Sequence, residues 1–217
     1  RVKAGMLHDL LTRGLDENGE LRDPLTRPEQ FEDSQMGKIP KEWEILPLGS
    51  IAEFITSGSR GWAHYYASDG PLFLRIGNLT REHINLRFDD LVHVQPPRGA
   101  EGARTAVLPG DLLISITADL GIIGCAPRTI GEAYVNQHIA LVRVNQHINS
   151  RWIAHYLSCP LYQRHFRFMN DSGAKAGMNL TSVGNLVAAF PRREAEQLLI
   201  VQALDEMDGQ IQGLQKD

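Results

Sequence analysis

The sequence predicts an α+β fold: a β-rich globular domain with small helices, a helix remnant at the N-terminus and a long, protruding coiled-coil-type helix at the C-terminus. Three observations predict it. Short apolar runs bounded by Gly, Pro, Asn or Asp recur between residues 72 and 144, which is the punctuation of strands. Amphipathic stretches follow near 149–169. Finally, Ile200, Leu204, Met207, Ile211 and Leu214 step by 4, 3, 4 and 3, the seam of a coiled coil rather than a broad globular face. With 217 residues, 42% of them hydrophobic, there is material for one core plus a helical extension.

In chain order, residues 1–13 place Val2, Met6 and Leu10 four apart with Leu7 and Leu11 beside them, and Gly14 follows as a C-cap. This is read as the end of a helix. Residues 14–43 are rich in Gly, Pro, Asp and Glu without a 3.6 or 2.0 period, and predict a surface linker. The globular domain is expected over 44–191. It begins with a short helix near Leu48–Ile55 and a loop at Thr56–Gly61. Strands are expected at Leu72–Ile76, Leu91–Val94, Leu112–Ile116, Ile122–Cys125 and Ile139–Val144. Helices are expected at Asn149–Ser158, capped by Asn149 or Ser150, and at Leu161–Met169, with Pro160 between them. A Gly-rich loop at 172–177, a short helix at Ser182–Leu186 and a strand at Val187–Phe190 precede the final helix. The segment 192–217 is expected to begin the conserved coiled-coil helix, which starts about Glu194 and at 1.5 Å per residue runs roughly 35 Å.

Charge is uneven. Residues 56–190 carry 12 Lys and Arg against 9 Asp and Glu, while both flanks are acidic, so a polyanion would meet the middle of the chain. No apolar run is long enough for a membrane span, and Cys125 and Cys159 form no disulfide framework; a cytoplasmic protein with no membrane partner is expected. The chain has no GxxxxGK[ST] loop, no GxSxG frame and no Asn/Asp-Pro-Pro-aromatic loop. Its histidines never fall at HxxxH spacing. No catalytic residue, metal or cofactor is therefore expected, and the chain reads as a non-catalytic binding module.

The segment Met6-Leu-His-Asp-Leu-Leu-Thr-Arg-Gly-Leu-Asp-Glu-Asn-Gly-Glu-Leu-Arg22, with Gly37-Lys-Ile-Pro-Lys-Glu-Trp-Glu44 and Leu48-Gly-Ser-Ile51, resembles the junction of conserved helix and target-recognition domain in specificity (S) subunits of Type I restriction-modification enzymes. The resemblance continues in Pro109-Gly-Asp-Leu-Leu-Ile114, Asn136-Gln-His138, Asn179-Leu-Thr181, Pro191 and Glu196-Gln197, and so runs through essentially the whole chain. It departs at Pro191-Arg192-Arg193, where the family has Pro-Pro-Leu. A full S subunit has two such halves, so this chain is expected to be a fragment of a longer one or a half-subunit that pairs with its own copy. The resemblance implies recognition of one half of a bipartite double-stranded DNA target. It also implies docking of methyltransferase (M) subunits, with restriction (R) subunits joining them.

Base reading needs loop-borne donors and acceptors: arginine for guanine, amides for adenine, and planar groups for stacking. Ser59, Arg60, Trp62, His64 and Tyr65 meet that need in one loop, and Arg75 and Asn78 follow a strand. Lys175 suits a phosphate clamp, and Arg98 and Arg104 flank a small-residue segment. The seam residues Ile200, Leu204, Met207, Ile211 and Leu214 are assigned to a helix partner, either the N-terminal helix or another copy, which allows self-association through the C-terminal helix. Two rival readings remain: a protein–protein adaptor acting through its helices, and a β-rich enzyme domain using Asp69, Asp89, Asp90 and Asp111.

Overall fold

The computed structural model describes residues 2–171 and 177–214. The chain opens with helix α1 (Val2–Arg13), a hairpin of β1 (Phe31–Ser34) and β2 (Gly37–Pro40), then β3 (Trp43–Pro47), α2 (Leu48–Ile51) and β4 (Ala52–Ser57). The middle contains β5 (Tyr66–Leu74), β6 (His93–Val94), α3 (Ala100–Thr105), β7 (Leu112–Ser115), β8 (Ile123–Cys125), β9 (Ala133–Val135) and β10 (Ile139–Val144). It closes with α4 (Ser150–Ser158), α5 (Pro160–Asp171), α6 (Leu180–Gly184), β11 (Val187–Pro191) and α7 (Glu194–Leu214). The architecture is α+β.

The central sheet has the order β4-β10-β7-β8 and is antiparallel throughout. Leu112, Ile114, Ala140 and Val142 point to one face and join α4, through Trp152 and Ile153, in the main core. Leu113, Ile139 and Leu141 point to the other face and pack with Leu74, Val107 and Val135. Successive strand residues face opposite ways, so a sheet covered on both faces needs unbroken apolar runs. That is why β7 and β10 are legible in the sequence. A three-stranded sheet, β6-β5-β9, lies beside it, with β5 and β9 parallel, and β11 pairs with β3.

The segment expected to be a surface linker is ordered. It contains the β1–β2 hairpin, a bridge between Leu15 and Leu21, and a buried ion pair from Arg22 to Glu196. Each hairpin strand buries few side chains, Phe31 in one and Ile39 and Pro40 in the other, so no period shows. The helix expected over 48–55 stops at Ile51, and the β-branched residues beyond it form β4. Strand β3 and the three-residue β9 were not expected.

Helix α7 is present as expected, but its first four turns lie against the domain. Ile200 and Leu204 are almost fully buried in a core shared with Leu10, Leu11 and Trp152, and Met207 packs against it. Of the two partners expected for Ile200 and Leu204, the N-terminal helix of the same chain is the one they meet, and they pack on the domain through Trp152 as well. Their stripe is covered within this chain, with α1 supplying part of the cover. The side chains of Ile211 and Leu214 lie outside those described.

The motif residues explain themselves in three dimensions. The buried Glu196 carboxylate accepts from Arg22 Nη1 at 2.6 Å, Leu15 N–H at 3.1 Å and Trp43 Nε1 at 3.3 Å, which ties the N-terminal segment to α7. Gln197 accepts from Asn149 N–H and donates to Pro191 O. Asp111 accepts from Leu108 N–H at 2.7 Å and from two nitrogens of Arg143.

Candidate nucleic-acid interface

Register places several loops at one end of the central sheet. Ser57 at the end of β4 pairs with Ala140, Ile139 at the start of β10 pairs with Ser115, and Ile114 pairs with Ile123. The loop after β4, the Asn136–His138 loop and the 116–122 turn therefore emerge side by side. The parallel strands β5 and β9 end at Leu74 and Val135 on the same side, which adds the Arg75–Asn78 turn.

The loop after β4 is held down tightly. Gly58 N–H donates to Asn136 O at 3.2 Å, and a Cβ on Gly58 would stand 2.2 Å from Val135 O. Only a residue without a side chain permits that approach. From α3, Arg104 donates to Thr56 Oγ1 at 2.5 Å, to Ser57 O at 2.6 Å and to Ser59 Oγ at 2.8 Å. Glu101 accepts from Trp62 Nε1 at 2.8 Å. That hydrogen bond, then one from Ser59, holds the Glu101 carboxyl below the ordinary carboxylate range, against a smaller opposing effect of burial.

The expected contact residues separate into two groups. Trp62 is 2% exposed; it stacks on Phe73 with ring centroids 5.1 Å apart and packs on Tyr134, so it is corrected from a stacking surface to core. Burial and a hydrogen bond to Glu132 raise the Tyr134 hydroxyl to about 12. Asn78 is likewise internal: its amide accepts from Arg75 N–H and donates to Arg87 O. Ser59 and Arg104 face each other as a brace.

Arg60, His64, Tyr65 and Arg98 are exposed around this frame, and Gln95 N–H donates to Tyr65 O to bring the Arg98 segment alongside. Arg75 is partly exposed and pairs with Asp90 at 2.7 Å. Lys175 lies outside the described residues.

In the Asn136–His138 loop, Asn136 is buried and accepts from His138 N–H, and the His138 ring lies 2.6 Å from Thr117 Oγ1. This motif joins neighbouring loops to one another. The aspartates of the enzyme reading are dispersed among arginines: Asp111 with Arg143, Asp89 with Arg87 and Asp90 with Arg75. Among the described residues no group of three His, Cys, Asp or Glu could hold a metal ion, and no helix is long and apolar enough to cross a membrane.

The sequence did not single out Arg128, Arg164 and Arg167. Each is exposed and forms no ion pair with a described side chain. No sequence signal separates them from arginines such as Arg22 or Arg151, because pairing is decided by the fold.

No protein-family model matches the chain. Solved structures do match. One, from work on complex assembly and conformational transition of the type I R-M system, covers 100% of this chain at 20% identity and a TM-score of 0.60. The HsdS subunit from Thermoanaerobacter tengcongensis covers 100% at 20% identity and 0.56. The Type I restriction-modification S subunit from M. genitalium covers 97% at 15% identity and 0.59. This chain spans 48%, 47% and 48% of those chains, respectively, so it shares the fold of about half of each.

Proposed function

We propose that this chain reads one half of a bipartite double-stranded DNA target as the specificity component of a Type I restriction-modification system. In this reading it has no catalysis of its own. It positions methyltransferase subunits on the DNA, and restriction subunits join the assembly. The observation that carries the reading is the braced loop after β4. Arg104, Glu101 and the Gly58 contact fix its backbone while Arg60, His64, Tyr65 and Arg98 remain in solvent. A rigid frame presenting free donors is what base discrimination requires, with each good contact worth roughly 1–3 kcal/mol. The fold shared with S subunits supports the same reading.

Association through helices is part of the proposal, with altered residues. Leu198 and Leu199 on α7 are 52% and 53% exposed and replace Ile200 and Leu204 as the apolar face offered to a partner helix.

The test is to reconstitute the chain with its methyltransferase subunit and map which adenines become protected from further methylation. Arg60→Ala is expected to relax the protected sequence at one position. An assembly without this chain that still protects the same adenines would refute the proposal.

A further inference from the structure

Helix α5 carries exposed arginines outside the loop region described above. Among the described residues most arginines are neutralised: Arg81 by Asp119, Arg143 by Asp111, Arg151 by Asp205 and Arg192 by Glu44, for example. Five exposed arginines form no ion pair with a described side chain: Arg60, Arg98, Arg128, Arg164 and Arg167. Arg60 and Arg98 belong to the braced loop region, and Arg164 and Arg167 stand on α5. Arg128 follows β8, at the opposite end of the central sheet.

Position brings α5 to the recognition end. Phe166 is fully buried against Gly121, in the turn between β7 and β8; a Cβ there would stand 2.2 Å from the ring. Gln163 Nε2 donates to Gly121 O at 2.8 Å, and Arg81 bridges Asp119 of that turn to Gln163. The turn begins at Ile116 and Thr117, and Thr117 contacts His138, whose loop in turn holds Gly58. The face that anchors α5 carries Tyr162 and Phe166. Arg164, Arg167 and Phe168 are exposed, with Phe168 at 72%, and residues three and four apart stand together on a helix.

We propose that the Arg164–Arg167–Phe168 face of α5 contacts the phosphate backbone of duplex DNA, flanking the bases approached by the loop after β4. The inference rests on the DNA reading above and extends it to a sequence-independent contact. Charge complementarity selects the occupant: two cations one turn apart, with no counter-charge among the described side chains, suit a polyanion. Such contacts fix register and carry affinity without sequence information.

The test measures binding of a random-sequence duplex against salt concentration, for the chain alone and with the methyltransferase subunit. Both arginines are exposed, so Arg164→Ala/Arg167→Ala is expected to fold normally by circular dichroism. The slope of log K against log salt should become shallower by roughly 1.8, because each phosphate contact contributes about 0.9. Lysine at both positions should restore it, and Arg128→Ala should leave it unchanged. Salt-dependent binding by the wild type with an unaltered slope in the double variant would overturn this inference alone. Loss of methyltransferase assembly with the slope intact would assign the face to that protein instead and overturn it as well. A wild-type assembly whose DNA binding shows no salt dependence would sink the DNA reading and the inference together.

Discussion

Removing either member of the Arg22–Glu196 pair should be costly, and removing both should cost well below the sum of the two single losses. Their side chains are 5% and 3% exposed, with Nη1 to Oε1 at 2.6 Å and Nη2 to Oε2 at 3.2 Å. Arg22→Met leaves the Glu196 carboxylate buried with weaker partners, and Glu196→Leu leaves a guanidinium buried with only the exposed side chain of Glu42 at 3.3 Å as a counter-charge. Breaking one side of a buried pair costs about 3–5 kcal/mol, whereas replacing both by apolar groups is often close to neutral. The double variant here still orphans Leu15 N–H and Trp43 Nε1, for which an unmade hydrogen bond costs about 1–3 kcal/mol each. The expected outcome of a double-mutant cycle in urea is therefore two large single effects and a double effect well below their sum. In a chain of this size each single loss corresponds to a fall in Tm of roughly 6–20 °C. Additive effects would refute the argument, since they would mean that the two charges do not depend on one another.

Three further outcomes follow from the packing. Trp62→Ala should destabilise the domain by about 3–5 kcal/mol in urea unfolding, as expected of a large core aromatic; a change confined to DNA affinity would restore Trp62 to the interface. Burial pushes the Asp205 carboxyl up, but the His155 and Arg151 contacts at 2.8 and 2.6 Å outweigh it and leave it below the ordinary range. A lowered folded-state value gives stability that is complete above the unfolded pKa of about 3.9 and is lost as pH falls through the folded one. The advantage of wild type over Asp205→Asn, read from urea midpoints, should thus hold from pH 7 to about pH 5 and shrink below pH 4. Leu198→Ser/Leu199→Ser should weaken self-association in light scattering while leaving the thermal midpoint within roughly 1–2 °C, because both side chains are half exposed.

Local chemistry wrote some elements into the sequence. The bounds of β10 follow from one apolar run, the Asn149 cap of α4 donates no side chain to the core but accepts from Arg151 and Trp152 N–H, and the α7 start at Glu194 follows Pro191. Elements with weak local signals stayed hidden. The β1–β2 hairpin buries too little to show a period, and β9 is only three residues long, held by its parallel partner β5. The candidate site divides in the same way. Residue type singled out the loop after β4, but burial made Trp62 a core residue, Asn78 a turn brace and Arg104 a support for Ser57 and Ser59.

The sequence by itself determined the α+β class, the strands with two buried faces and the long terminal helix, because periodicity and caps are properties of neighbouring residues. Tertiary structure alone decided which arginines find an acidic partner, that Ile200 and Leu204 face inward, and that loops from four strands meet at one end of a sheet. Charge neutralisation and burial are pairwise facts between residues as far apart as Arg22 and Glu196, and only the folded chain brings such pairs together.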